Sequence, residues 1–169
     1  MAIEEFTHFT LSGTTHVVSI SHEPVIRKTA VAVCFLSFPN PNVVPLIRSI
    51  AIKKGNALSV ARTAAIMTAK KTSDLILLFH PIALTHLSEN DFGKIEIPIK
   101  VECFQKSGAE MEAMTAASIA SLTIFDMYKS VGKGMRIGGL GVIRKEGDVS
   151  GPWSKDEQTE LPNMAVSLQ

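Results

Sequence analysis

The chain predicts an α+β sandwich, a mostly antiparallel sheet with helices packed on one face, and three stretches carry that prediction. Between Lys94 and Gln105, Ile95, Ile97, Ile99, Val101 and Cys103 alternate with Lys94, Glu96, Pro98, Lys100 and Glu102. That two-residue period belongs to a strand with one apolar and one wet face. Thr29 to Phe38 is dense in β-branched and apolar residues, as a strand covered on both faces should be. From Ala113 to Val131, Met114, Ala117, Leu122 and Phe125 recur among alanines at helical spacing, so this helix should be buried along much of its surface. Strands and helices segregated in this way build two layers around one core.

The remaining elements follow in chain order. Val17 to Ile20 reads as a first short strand. After Thr29–Phe38, Pro39-Asn40-Pro41-Asn42 forces a turn, and Leu46, Ile47 and Ile50 fit a short helix beginning near Val43, with Pro45 tolerated in its first turn. Lys53-Lys54-Gly55 ends that helix. Asn56 is placed to cap the next one, where Leu58, Ala61, Ala65 and Thr68 form a small-residue stripe and Lys70 and Lys71 suit the C-terminal dipole. Pro98 cannot donate to a ladder and points to an edge strand or a bulge. Gly132 and Gly134 stop the long helix, and Met135 to Arg144 is a final strand. Residues 1–153 are expected to form a single domain, with a loose polar tail over 154–169.

With 17 Lys+Arg against 16 Asp+Glu the net charge is +1, which argues against a dedicated nucleic-acid binder, because phosphate-backbone affinity needs a cationic surplus. The aromatic share of 6%, not interleaved with the lysines, weighs against a single-strand binder. A small anion in a local lysine pocket stays open. No apolar run approaches the roughly 18 residues of a membrane span. Cys34 and Cys103 lie in strand-like segments without paired spacing and read as free core thiols of a reducing compartment. The expected location is the cytoplasm, or the mitochondrial matrix for a processed chain.

Several groups could carry chemistry. Gly132-Lys133-Gly134-Met135-Arg136-Ile137-Gly138-Gly139 lacks the endings of either phosphate-binding glycine motif, and it follows a helix and enters a strand, the reverse of both. Asp126 and Lys129 are three apart on a helix and can pair, either as an ordinary surface ion pair or, given Ile124, Phe125, Met127 and Tyr128 around them, as a partly buried pair with a tuned lysine. Glu110 and Glu112 either alternate at the end of an extended segment, sharing a face, or complement the dipole of the following helix. His80-Pro81 fixes an imidazole in a turn, as a structural or a catalytic residue. Lys53, Lys54, Lys70 and Lys71 form either a solvated basic face or a cradle for phosphates. No His/Cys/Asp/Glu group has metal-ligand spacing, and the methionines, Met111, Met114 and Met127 among them, read as core filler.

Four blocks in order resemble the cyclic pyranopterin monophosphate synthase family, molybdenum cofactor biosynthesis protein C. They are Lys53-Lys54-Gly55-Asn56-Ala57-Leu58 through Ala61-Arg62 and on to Lys70-Lys71-Thr72-Ser73, then Leu78-Phe79-His80-Pro81, Glu110-Met111-Glu112-Ala113-Met114-Thr115-Ala116-Ala117-Ser118, and Asp126-Met127-Tyr128-Lys129. The resemblance runs from about Thr7 to Gly151. It implies a ferredoxin-like fold, assembled as a hexamer of three dimers with active sites between subunits. The implied reaction turns 3′,8-cyclo-7,8-dihydro-GTP into cyclic pyranopterin monophosphate with loss of pyrophosphate.

By position, Lys54, Asp126 and Lys129 match the catalytic group. Leu78, Phe79, His80, Met111 and Glu112 match substrate contacts, while Lys70, Glu110 and Lys28 match further pocket residues. Lys54 and Lys129 would be the acid–base pair and Asp126 would orient Lys129, with Glu112 and His80 holding the base and ribose. No resident cofactor or metal is implied, and a magnesium ion on the substrate phosphates stays open. Asn56, Leu77 and Phe79 stand where the family has Asp, Pro and Cys, Lys28 where it has arginine, and Val149 where it has a second lysine in Lys145-Glu146-Gly147-Asp148-Val149-Ser150-Gly151. A phosphate cation is therefore missing unless Lys145 or Arg144 reaches in. An active enzyme with an altered pocket and a non-catalytic paralogue binding a nucleotide-like ligand or a partner are the two readings that follow.

Overall fold

The computed structural model describes residues 12, 14–40, 42, 44–45, 56–80, 84–89, 95–130, 132–148 and 151–155. The long strand β1 (Ile26–Ser37) is followed by helix α1 (Ala57–Ala69), a single turn α2 (Thr72–Leu75), strands β2 (Leu84–Glu89) and β3 (Ile95–Gln105), helix α3 (Glu110–Tyr128), strand β4 (Arg136–Glu146) and the two-residue strand β5 (Trp153–Ser154). One sheet has the order β2-β3-β1-β4-β5, and every pairing in it is antiparallel. Strands β1 and β2 flank β3, and β3 and β4 flank β1, so each helical crossover encloses a strand.

Strand alternation assigns the faces. Ala30, Ala32, Cys34 and Leu36 of β1 and Ile95, Ile97, Ile99, Val101 and Cys103 of β3 point into one apolar core with the helices. Both cysteines are free and buried there. Helix α3 lies over β1, β3 and β4, and α1 packs along α3. Alanine makes that close approach feasible: Ala57, Ala61, Ala65 and Ala69 recur every fourth residue on α1, facing a core that holds Ala113, Ala116, Ala117 and Ala120 of α3. The buried Ser121 hydroxyl donates to the Ala117 carbonyl at 2.7 Å, so no polar atom is stranded at that seam. Asn56 caps α1, its Oδ1 accepting from the Ser59 N–H at 3.1 Å, as its sequence position predicts.

Four expectations are corrected. Val17 to Ile20 forms no strand; Thr15 makes an isolated bridge and the stretch runs irregularly, its apolar residues too few to sustain a ladder. Strand β3 is interior, and its second face is not wet throughout. Glu96 and Pro98 are buried there, burial pushes the Glu96 carboxyl up, and its Oε1 has no partner. Pro98 sits one residue beyond Ile99, the last described partner of β2, where among described pairings β3 has β1 alone beside it, so the missing N–H interrupts no described β2 pairing. Leu122 is half exposed, on the outer side of α3. Finally, Glu110 and Glu112 open α3 rather than ending an extended segment, which turns them to different sides of the helix. The helix expected near Val43 is described only at residues 44 and 45, both helical, and the tail beyond residue 155 lies outside the described residues.

A candidate active site split between the ends of one helix

The register defines two ends of the sandwich. At one, β1 begins, with Lys28 opposite Cys103 and Ala30 opposite Lys145. At the other, Leu36 faces Ile95 and Ser37 faces Arg136. Helix α3 links the end of β3 to the start of β4, so Glu110, Met111 and Glu112 lie at the Lys28 end, and Asp126 and Lys129 at the Arg136 end. Sixteen residues of helix separate Glu110 from Asp126, about 24 Å. Helix α1 runs the other way, which leaves its C-cap Lys70 at the Lys28 end and its N-cap Asn56 at the Arg136 end. Leu78, Phe79 and His80, all half-buried, lead into β2, whose first residue Leu84 pairs with Cys103; they too belong to the Lys28 end.

At that end the apolar face of the sheet becomes cationic beneath the start of α3. The Lys28 side chain is 7% exposed, with its Nζ 3.6 Å from Asp148 Oδ1. Lys145 Nζ lies 2.7 Å from Asp148 Oδ2 and 3.4 Å from Glu110 Oε1. The Asp148 hydrogen bond is the main cause that holds the Lys145 ammonium above its ordinary range. Glu112 is fully buried one turn into the helix. Burial, with Glu110 adding to it, pushes its carboxyl up to about 8, and its Oε2 has no hydrogen-bond partner among the described residues. Burial first, then Glu112, lifts the Cys103 thiol to about 11, with Lys28 opposing. Glu112 and Lys28 both act on the Cys103 thiol from this end of the sheet, so a neutral carboxyl and two ammoniums share one end of the sandwich. There the carboxyl can donate a hydrogen bond to a polar ring and the cations can hold an anion. His80 Nε2 lies 3.0 Å from the Val18 carbonyl, a bond that fixes the imidazole of the turn.

The Arg136 end differs. Asp126 Oδ1 and Lys129 Nζ pair at 2.6 Å, but the side chains are 68% and 60% exposed. Of the two readings of this pair, the ordinary surface ion pair holds and the partly buried one does not: Tyr128 and Ile124 turn inward and leave Asp126 and Lys129 on the outer side. Lys54 lies outside the described residues, two positions before Asn56. Val149 is also outside them. Of the two cations named as substitutes, Lys145 lies at the Lys28 end against Asp148, whereas Arg144 sits on the opposite face of the sheet, its Nε 2.9 Å from Glu146. Sequence reasoning passed over Asp148. Its signal was the i,i+3 spacing from Lys145 across Gly147, a residue with φ +92° whose added Cβ would fall 2.3 Å from the Arg27 carbonyl oxygen. Among the described residues no three His, Cys, Asp or Glu side chains are grouped to hold a metal ion, and no helix is long and apolar enough to cross a membrane.

An α+β sandwich with a buried carboxyl, two linked lysines and a second carboxylate–ammonium pair defines a protein built for acid–base work on a small anionic ligand. The sequence pattern of the MoaC family matches residues 17–148, and the chain belongs to that family. It is 40% identical over 158 residues, 90% of this chain and 98% of the relative, to the cyclic pyranopterin monophosphate synthase of Parvibaculum lavamentivorans. It is 39% identical over 161 residues, 92% and 97%, to that of Chloroflexus aggregans. Cyclic pyranopterin monophosphate synthase 2 of Mycobacterium bovis is 42% identical over 155 residues, 89% and 92%.

Proposed function

We propose that this chain is a cyclic pyranopterin monophosphate synthase of molybdenum cofactor biosynthesis, converting 3′,8-cyclo-7,8-dihydro-GTP to cyclic pyranopterin monophosphate with release of pyrophosphate. The observation that carries the proposal is the Lys28 end: two ammoniums around Asp148 and, at the same end of the sheet, the buried Glu112, in a chain of the MoaC family. The lysines, with Lys70, grip the phosphates, and Glu112, largely protonated at neutral pH, donates to the heterocycle while His80 and the Leu78–Phe79 backbone flank the ribose. Met111 packs against the bound ring. Lys54 and Lys129 move the protons, with Asp126 orienting Lys129.

One subunit holds Asp126 and Lys129 about 24 Å along α3 from Glu110, so the working site joins the Lys28 end of one copy to the Arg136 end of another. A dimer meets that need, and the hexamer of three dimers is carried from the family resemblance; the strand order β2-β3-β1-β4 with two helical crossovers supports the ferredoxin-like assignment. The scheme needs no resident metal, with magnesium arriving on the substrate phosphates. The cytoplasm is the proposed compartment. Purified protein supplied with the cyclic GTP-derived substrate should release pyrophosphate. A folded oligomer that releases none above background contradicts the proposal and leaves a paralogue that binds a nucleotide-like ligand.

A further inference from the structure

We propose that Asp148 is a positioning residue that holds the Lys28 and Lys145 ammonium groups as a pair at the phosphate-binding corner. The proposal deepens the synthase reading and rests on it for the identity of the phosphates. Lys145 pairs across the sheet with Ala30, two residues from Lys28, so the two lysines are diagonal neighbours on the helix-facing side of adjacent strands. Side chains so placed are within mutual reach, and two like charges there repel. Asp148 meets both, Oδ1 toward Lys28 and Oδ2 toward Lys145, so one carboxylate bridges the two cations. Glu110 steadies Lys145 from the helix side.

Burial makes the bridge necessary rather than incidental. The Lys28 side chain, 7% exposed, cannot keep its charge out of water without a counterion, and Asp148 is itself largely covered. The backbone is committed to the same end: Gly147 turns at φ +92° against the Arg27 carbonyl, which brings Asp148 back over the start of β1 beside Lys28. Two ammoniums held at a set separation match the oxygens of neighbouring phosphoryl groups; unbridged, they would splay toward solvent and present one cation at a time.

The test compares the assembled wild-type enzyme with Asp148→Asn, Asp148→Glu and, as a surface control, Glu146→Gln. It reads kcat and KM for the cyclic GTP-derived substrate, the Kd of inorganic pyrophosphate by calorimetry, and Tm. Asp148→Asn should raise KM and the pyrophosphate Kd by about tenfold or more with kcat within about twofold. Asp148→Glu, which keeps the charge one methylene further out, should raise both by only about threefold, and Glu146→Gln should move neither. Tighter pyrophosphate binding in Asp148→Asn would make Asp148 a competitor of phosphate and overturn the proposal. A lower Tm with KM and Kd unmoved would make it a scaffold residue and overturn it equally. If Asp148→Asn does not fold, the Glu variant decides on the same terms. Wild-type protein that turns nothing over, yet binds pyrophosphate in an Asp148-dependent way, sinks the synthase reading and leaves the positioning role standing.

Discussion

At its N-terminal end α3 buries a carboxyl, Glu112, beside a bridged pair of lysines, whereas at its C-terminal end it holds Asp126 and Lys129 in solvent. The same chemical groups therefore meet opposite physics. Burial has already shifted Glu112 and has drawn Lys145 into a network, so the first end is preorganised by this chain alone. The exposed pair is worth only about 0.2–1 kcal/mol to the fold, because water screens it and two flexible side chains must be ordered to form it. The difference teaches that the described part of the chain preorganises one end of α3 and leaves the other unfinished, open to solvent, and each variant below sharpens or breaks that contrast.

The largest effect is expected at the unfinished end. Lys129→Ala should lower pyrophosphate release by about 10²–10⁴-fold, the usual contribution of a general acid or base, while Tm stays within a degree or two. A large fall in Tm with modest loss of activity would reverse the roles assigned to the two ends. Next comes Gly147→Ala, where a Cβ would meet backbone 2.3 Å away at a positive φ. It should destabilise by about 2–4 kcal/mol in denaturant unfolding, and a neutral result would mean the turn under Asp148 is not held as described.

A smaller and pH-dependent effect belongs to Glu112. Its carboxyl titrates near 8 in the folded chain against an ordinary 4.5, so the unfolded chain binds fewer protons between those values. The stability it contributes is full below about 4.5 and is lost as pH rises toward 8. Glu112→Gln keeps the shape without the charge, and the Tm of the variant should fall less than wild type between pH 5 and 8. Parallel Tm curves would place the Glu112 carboxyl in water and remove the contrast between the ends.

Much of this was legible in the sequence, and the misses share a cause. The period of two puts Ile95, Ile97, Ile99, Val101 and Cys103 of β3 on the core face and Asn56 caps α1, both as expected. The helix stripes were only partly found: Ala61, Ala65, Thr68 and Ala117 are buried, while Leu58, Met114 and Phe125 are half-buried at the margin of the core. Periodicity does not say what covers a face. Glu96 reads as wet and is buried; Asp126 and Lys129 read equally as a surface pair or an enclosed one and are open; Leu122 reads as core and is half exposed. Pro98 reads as an edge because only the missing N–H is visible locally, while the last described β2 pairing, at Ile99, lies just short of it. The site residues came from the four sequence blocks, yet their division between two ends follows from strand register, a long-range property. Asp148 escaped because its meaning depends on Lys28, 120 positions earlier in the chain.

Subunit complementation tests the central claim most directly. Glu112→Ala, which removes the donor, and Lys129→Ala are purified separately, each expected to be nearly inactive, then mixed under conditions in which mass spectrometry confirms subunit exchange. If each site takes its two halves from different copies, random two-fold dimers contain about a quarter of wild-type sites, and activity should recover to about that level. Mixed assemblies that stay as inactive as their parents would place both halves of every site within a single chain and contradict the account.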